Sequence, residues 1–125
     1  LIVSGSCTRV ENSRSVQRRW DGNITWKTVF GLLAPHLLEA TSDAKAMLIM
    51  SKAIFDFLKK PDSNPKLGDQ LFQTIKIQFI AQKLVVVAPH ETAQGGMALF
   101  WELTAIGRKH MLAIRTIKRS DSTGA

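Results

Sequence analysis

The side chains that could do chemistry in this sequence are few and scattered. Three histidines, His36, His90 and His110, stand far apart, and none lies at metal-ligand spacing from another histidine or from Cys7. Each reads as a surface or hydrogen-bonded histidine. No G-x-S-x-G, P-loop or G-x-G-x-x-G run occurs, and the acids do not pair in a general acid–base pattern. Gly95-Gly96 fits a hairpin turn rather than a phosphate loop. The single cysteine, Cys7, rules out an internal disulfide framework and fits a reducing, cytoplasmic setting. The chain is therefore expected not to be an enzyme, with no metal, no cofactor and no small-molecule substrate.

Residues suited to recognition are better represented. Gln70, Gln73, Thr74 and Lys76 lie near the front of one apolar-periodic segment, and such side chains can reach base edges: glutamine pairs with adenine, lysine with guanine or a phosphate. Arg108, Lys109, Arg115, Lys118 and Arg119 form a basic set with no acid between Thr104 and Ser120, suited to phosphates. Two features weigh against DNA. Asp69 stands at the front of the first set, and the tip from His90 to Gly96 holds no Lys or Arg, where DNA-binding wings usually carry one. Phe100 and Trp101 are adjacent on a strand and point to opposite faces, so one can enter the core and the other can meet a partner. Trp20, Trp26, Phe100 and Trp101 could alternatively stack on unpaired bases.

The elements that must position these residues follow from periodicity. Leu84 to Val87 is β-branched and reads as a strand, stopped by Pro89. His90 to Gly96 reads as a turn, and Met97 to Leu103 as a second strand. Thr104 can cap a helix carrying Ile106, Met111, Leu112, Ile114 and Ile117. Upstream, Thr25 caps a helix with Trp26, Val29, Phe30, Leu32 and Leu33 that Pro35 interrupts. Ser42-Asp43 caps another, running from Ala44 to Lys60 with a wide apolar face. Pro61 to Pro65 is the clearest loop. Leu67 to Lys83 is a third helix, apolar on two sides: Leu71, Ile75 and Phe79 on one, Ile77, Ile80, Ala81 and Leu84 on the other. Such a helix is expected to be wedged between neighbours. Residues 1–22, polar and arginine-bearing, read as a linker or N-terminal extension, helix or coil over Ser13 to Trp20, and 120–125 as a disordered tail.

The 125 residues suffice for one domain with a proper core, and 45% hydrophobic content marks a globular sequence. No apolar run approaches the roughly 18 residues of a membrane span. The net charge of +7 favours polyanionic partners, nucleic acid first. The first residue, Leu1, is not methionine, as expected of a piece of a longer protein.

Thr25-Trp26-Lys27-Thr28-Val29-Phe30, running on to Ala34-Pro35-His36-Leu37-Leu38, resembles the T-W-x-x-[LVI]-F…P-x-L-L segment of a family of large bacterial proteins of unknown function. Phe72 to Gln78, then Leu84-Val85, then Phe100-Trp101-Glu102-Leu103-Thr104 with Gly107, are similar to later segments of the same family. The resemblance covers Thr25 to Arg119. It implies that the chain is the C-terminal part of a multidomain protein, downstream of a TIR-like or nucleoside-deoxyribosyltransferase-like domain. It brings no catalytic residues.

The expected fold is mainly α with a small β-hairpin, a winged helix-turn-helix over residues 23–119. The expected function is a non-catalytic module that mediates protein interaction or assembly and regulates an upstream domain, using the wing and Phe100 or Trp101. Its partner would be another protein or a second copy of the chain. The alternative is double-stranded DNA, with Gln70, Gln73, Thr74 and Lys76 in the groove and Arg108, Lys109 and Arg115 on phosphates.

Overall fold

A computed structural model describes the backbone of residues 1–123 and the side chains of residues 1–114. The N-terminal segment, read from sequence as a linker or N-terminal extension, is regular structure. It forms a long hairpin of β1 (Ile2–Glu11) and β2 (Arg14–Asn23), antiparallel from Ile2 opposite Asn23 to Glu11 opposite Arg14. Asn12 and Ser13 make the tight turn, with φ of 48° and 62°, the left-handed pair that suits the twist of a two-residue hairpin. Val3, Cys7 and Trp20 share the inner face and are buried. Trp20 meets Phe55 edge-on at 5.3 Å, and its indole N–H donates to the Ser6 carbonyl at 2.9 Å. The expected helix or coil over Ser13 to Trp20 is therefore a strand.

Serine is strained at φ 62° where glycine is not. Ser13→Gly is expected to stabilise the chain by about 1 kcal/mol, read as a shift in denaturant midpoint at unchanged m-value.

Helix α1 (Trp26–Leu33) follows, capped by the Thr25 hydroxyl, which accepts from the Thr28 N–H at 3.1 Å. Pro35 ends it in a 3₁₀ turn over Ala34–Leu37. The short β3 (Thr41–Ser42) leads into α2 (Asp43–Phe57), with the Ser42 hydroxyl as N-cap. Overlapping the expected loop and reaching Leu67, read as the start of the third helix, lies β4 (Ser63–Leu67), which pairs antiparallel with the free edge of β1. Gly5 permits that pairing, because a Cβ there would run into the Lys66 carbonyl. Then come α3 (Asp69–Ala81), the hairpin strands β5 (Val85–Glu91) and β6 (Met97–Leu103), and α4 (Ala105–Thr123). Pro89 does not stop β5. It sits on an edge strand, where a missing N–H is tolerated. Helix α4 enters the stretch read as a tail; residues 124 and 125 lie outside the described residues.

Two three-stranded sheets result, ordered β2-β1-β4 and β3-β6-β5. The fold is thus α+β, with six strands and four α-helices among the described residues. This corrects the expectation of a mainly α winged helix-turn-helix with one small hairpin. Half of the strands come from polar segments that acquire their state by pairing and not by propensity. The core lies between the sheets and α1–α3, with Phe30, Leu33, Met50, Ile54, Phe55, Ile75, Phe79 and Trp101 at its centre.

Candidate functional site

Helix α3 holds most of the expected base-reading residues, and the structure divides them. Gln70, Gln73 and Thr74 are exposed. Thr74 turns its hydroxyl back to the Gln70 carbonyl at 2.9 Å, so that donor is already engaged. Lys76 faces inward and is only 7% exposed. Its ammonium donates to Asp43 Oδ1 at 2.8 Å and lies 5.2 Å above the Phe72 ring. The same carboxylate oxygen accepts the indole N–H of Trp101 at 2.8 Å. Phe72 stacks on Trp101 with centroids 5.7 Å apart. Lys76, the sole basic residue of α3, is therefore a structural cation and not a base or phosphate contact.

Trp101 is 0% exposed, so it is the inward member of the adjacent aromatic pair. Phe100 points to the other face, half-buried against His90 at 5.9 Å. Trp20 is buried as well, and Trp26 is half-buried with its edge on Phe79 at 6.2 Å. Among the described residues, no row of exposed aromatics remains for stacking on unpaired bases. Arg108 and Lys109 are exposed on α4, while the side chain of Arg115 lies outside the described residues. The structure thus brings Gln70, Gln73 and Thr74 to one exposed helix face and leaves Arg108 and Lys109 on a different helix.

Charge is distributed accordingly. Residues 24–104 hold eight lysines against seven acids, whereas 105–125 hold five cations against one acid and 1–23 hold four arginines against two acids. The +7 therefore belongs mostly to the two ends of the chain and not to α3 or its surroundings.

Of the second apolar side of α3, expected to be wedged between neighbours, only Leu84 is buried. Ile77 is 64% exposed, and Ile80 and Ala81 are exposed with it. Spacing of three and four residues places Gln70, Gln73, Thr74, Ile77 and Ala81 in one strip. At the front of α3 the strip borders a groove of about 650 Å³ between α2, β4 and α3, lined by Met47, Leu48, Pro65, Phe72 and Gln73. Leu48 on its rim is 68% exposed.

At the other end of α2, Asp62 accepts from Arg9 Nε at 2.9 Å and from Nη2 at 3.4 Å. The Arg9 guanidinium holds the Asp62 carboxyl below its ordinary range. Cys7 donates its thiol to the same carboxylate at 3.5 Å. Burial, then Asp62, raise the Cys7 pKa, which disfavours the thiolate a nucleophile needs. The three histidines are exposed and separate: His36 follows α1, His90 is on β5 and His110 is on α4. Among the described residues, no group of three or more His, Cys, Asp or Glu side chains could hold a metal. Nor is any helix there long and apolar enough to cross a membrane.

Asp43 is the residue that sequence reasoning assigned too small a role, as part of a cap. A signal for it existed. Lys76 falls between Phe72, Ile75 and Phe79 on the inward face of α3, and a cation there requires a buried acid.

No protein-family model matches the chain, and no curated protein matches it. Among solved structures, the chain is similar to a protein proposed to be a transcriptional regulator from Thermoplasma acidophilum, with a TM-score of 0.48 and 11% identity. The likeness covers 78% of this chain and 93% of that one.

Proposed function

We propose that this chain is a non-catalytic protein-interaction module of a cytoplasmic bacterial protein, and that the exposed strip of α3 with the adjoining groove is its docking surface. One observation carries the reading. The only cation of α3 is withdrawn to Asp43, and the face left outside is amide and aliphatic: Gln73, Thr74, Ile77, Ile80. That strip carries no cation for phosphates, and its aliphatic part buries favourably against apolar side chains of another protein. Leu48 on the rim of the groove and Ile77 further along the strip would be its apolar contacts.

Photo-crosslinking in cells from residue 77, with a benzophenone amino acid replacing Ile77, tests this. Discrete protein adducts are expected, and Leu48→Glu is expected to abolish them without a change in thermal stability, since residue 48 is exposed. Adducts to nucleic acid from residue 77 would overturn the reading and restore duplex DNA as the partner of α3. Absence of any adduct above that of a photoprobe at Gln94, exposed in the turn between β5 and β6, would overturn it too.

A further inference from the structure

The outer edge of β2 is a long strand edge that pairs with no other strand among the described residues. Its free backbone groups can be identified. The Ile24 N–H donates to the Leu1 carbonyl at 2.9 Å, and the register of β1 and β2 is continuous. Hydrogen-bonded pairs alternate along an antiparallel ladder, so Gly22, Trp20, Arg18, Val16 and Arg14 spend their backbone groups on β1. Ser15, Gln17, Arg19, Asp21 and Asn23 direct theirs outward. All five are exposed, and no proline or bulge interrupts the run. An edge of this length is a template for another strand unless side chains forbid it.

The side chains on this edge select a partner. Among the described residues, neither Arg19 nor Asp21 forms an ion pair within its own chain. They lie two residues apart on the same face and carry opposite charge. Two copies of β2 related by a two-fold axis can pair only in registers that match outward residues with outward residues. Centred on Arg19, the pairing sets Arg19 against Arg19. Centred on Asp21, it sets the two acids together. Centred on Arg18, it sets the Arg18 side chains opposite each other at a close, non-hydrogen-bonded position. Centred on Trp20, it places Arg19 opposite Asp21 of the second copy twice, and Gln17 opposite Asn23 twice. Arg18 then faces Gly22, where it meets no charge. The outward groups of those four pairs supply about eight backbone hydrogen bonds.

From this self-complementarity we infer that the chain dimerises through β2, edge to edge and antiparallel, with Arg19 paired to Asp21 across the two-fold axis. The two β2-β1-β4 sheets then join into one continuous sheet with both β2 strands at its centre. The surface is separate from α3 and from Leu48, and the inference does not depend on what binds there.

Sedimentation velocity of the whole chain over a concentration series tests the register by charge exchange. The wild type is expected to dimerise reversibly. Arg19→Asp alone and Asp21→Arg alone each create two like-charged pairs and are expected to weaken the dimer at least about tenfold. Mixing those two variants restores both pairs, and a heterodimer of near wild-type affinity is expected; the double exchange R19D/D21R is expected to dimerise with itself. Both positions are exposed, and circular dichroism of each variant confirms that it is folded before it is compared. A wild-type monomer at every concentration overturns the inference. So do single variants that dimerise as well as the wild type, or a mixture that gives no heterodimer.

Discussion

Asp43→Ala is expected to destabilise the chain by about 3 kcal/mol, the lower end of the range for stranding one member of a buried ion pair, because the acid is partly accessible. Two donors converge on the carboxylate at 2.8 Å, the Lys76 ammonium and the Trp101 indole N–H. The side chain of Lys76 is 9% accessible and that of Asp43 29%, so water reaches the acid far better than the base. Alanine removes the acid and leaves the ammonium against Phe72 with its protons unmatched. The indole N–H loses its acceptor at the same time, at a further expense of about 1–3 kcal/mol if no water replaces it. Lys76→Met in the same background removes the stranded charge and keeps an unbranched side chain over the Phe72 ring. The double variant D43A/K76M is therefore expected to be more stable than D43A, against the sum of the single effects. Urea denaturation of the four proteins measures this directly. A loss below about 1 kcal/mol in D43A would show that Lys76 swings out to solvent, contrary to its role as a structural cation.

That pair also marks the boundary of what the sequence disclosed. The helices and the β5–β6 hairpin were legible because each carries a strong period: Phe72, Ile75 and Phe79 along α3, Val85 to Val87 along β5. Thr25, Ser42 and Thr104 were legible as caps for the same reason, since an oxygen-bearing side chain before an apolar period has few other uses. The N-terminal hairpin was not. Its inner face buries only Val3, Cys7 and Trp20, with Gly5 among them, and the rest of both strands is mostly polar or glycine, its other apolar residues Ile2, Val10 and Val16 lying outside the buried set. Its turn lacks the glycine that usually announces a two-residue loop. Strand β4 was harder still, because Asn64 and Pro65 signal a loop and only the edge of β1 makes the segment extended.

For the candidate site, the alternation of Phe100 and Trp101 placed them on opposite faces but did not say which enters the core. Asp43 decides it, through a contact 58 residues away in the chain that no local pattern encodes. The exposed side of α3 was legible as apolar. Its exposure was not, because a period describes a face and says nothing of what covers it.

Gly107→Val is expected to detach the start of α4, at roughly 3 kcal/mol or more, the upper part of the usual range for overpacking. A Cβ at residue 107 would run into the Leu84 carbonyl and lie 3.2 Å from the Leu103 side chain. The first obstacle is backbone at the mouth of β5, which cannot turn aside as a side chain could. Thr104 fixes the approach from the other direction. Its N–H donates to the Leu84 carbonyl at 3.1 Å, its hydroxyl donates to the carbonyls of Lys83 and Leu84, and the same hydroxyl accepts from the Gly107 N–H at 2.9 Å. The run from Trp101 through Thr104 to Gly107 thus joins three tasks: the indole reaches Asp43, the threonine caps α4, and the glycine lets α4 lie against the strand. Thr104→Ala removes the cap alone and is expected to lose about 1 kcal/mol. Hydrogen exchange separates the two effects. In Gly107→Val the amides of α4 should lose protection while those of α2 and α3 keep theirs, because Met111 and Ile114 leave the body with the helix. Uniform loss across the chain would mean that α4 is part of one cooperative core and does not open by itself.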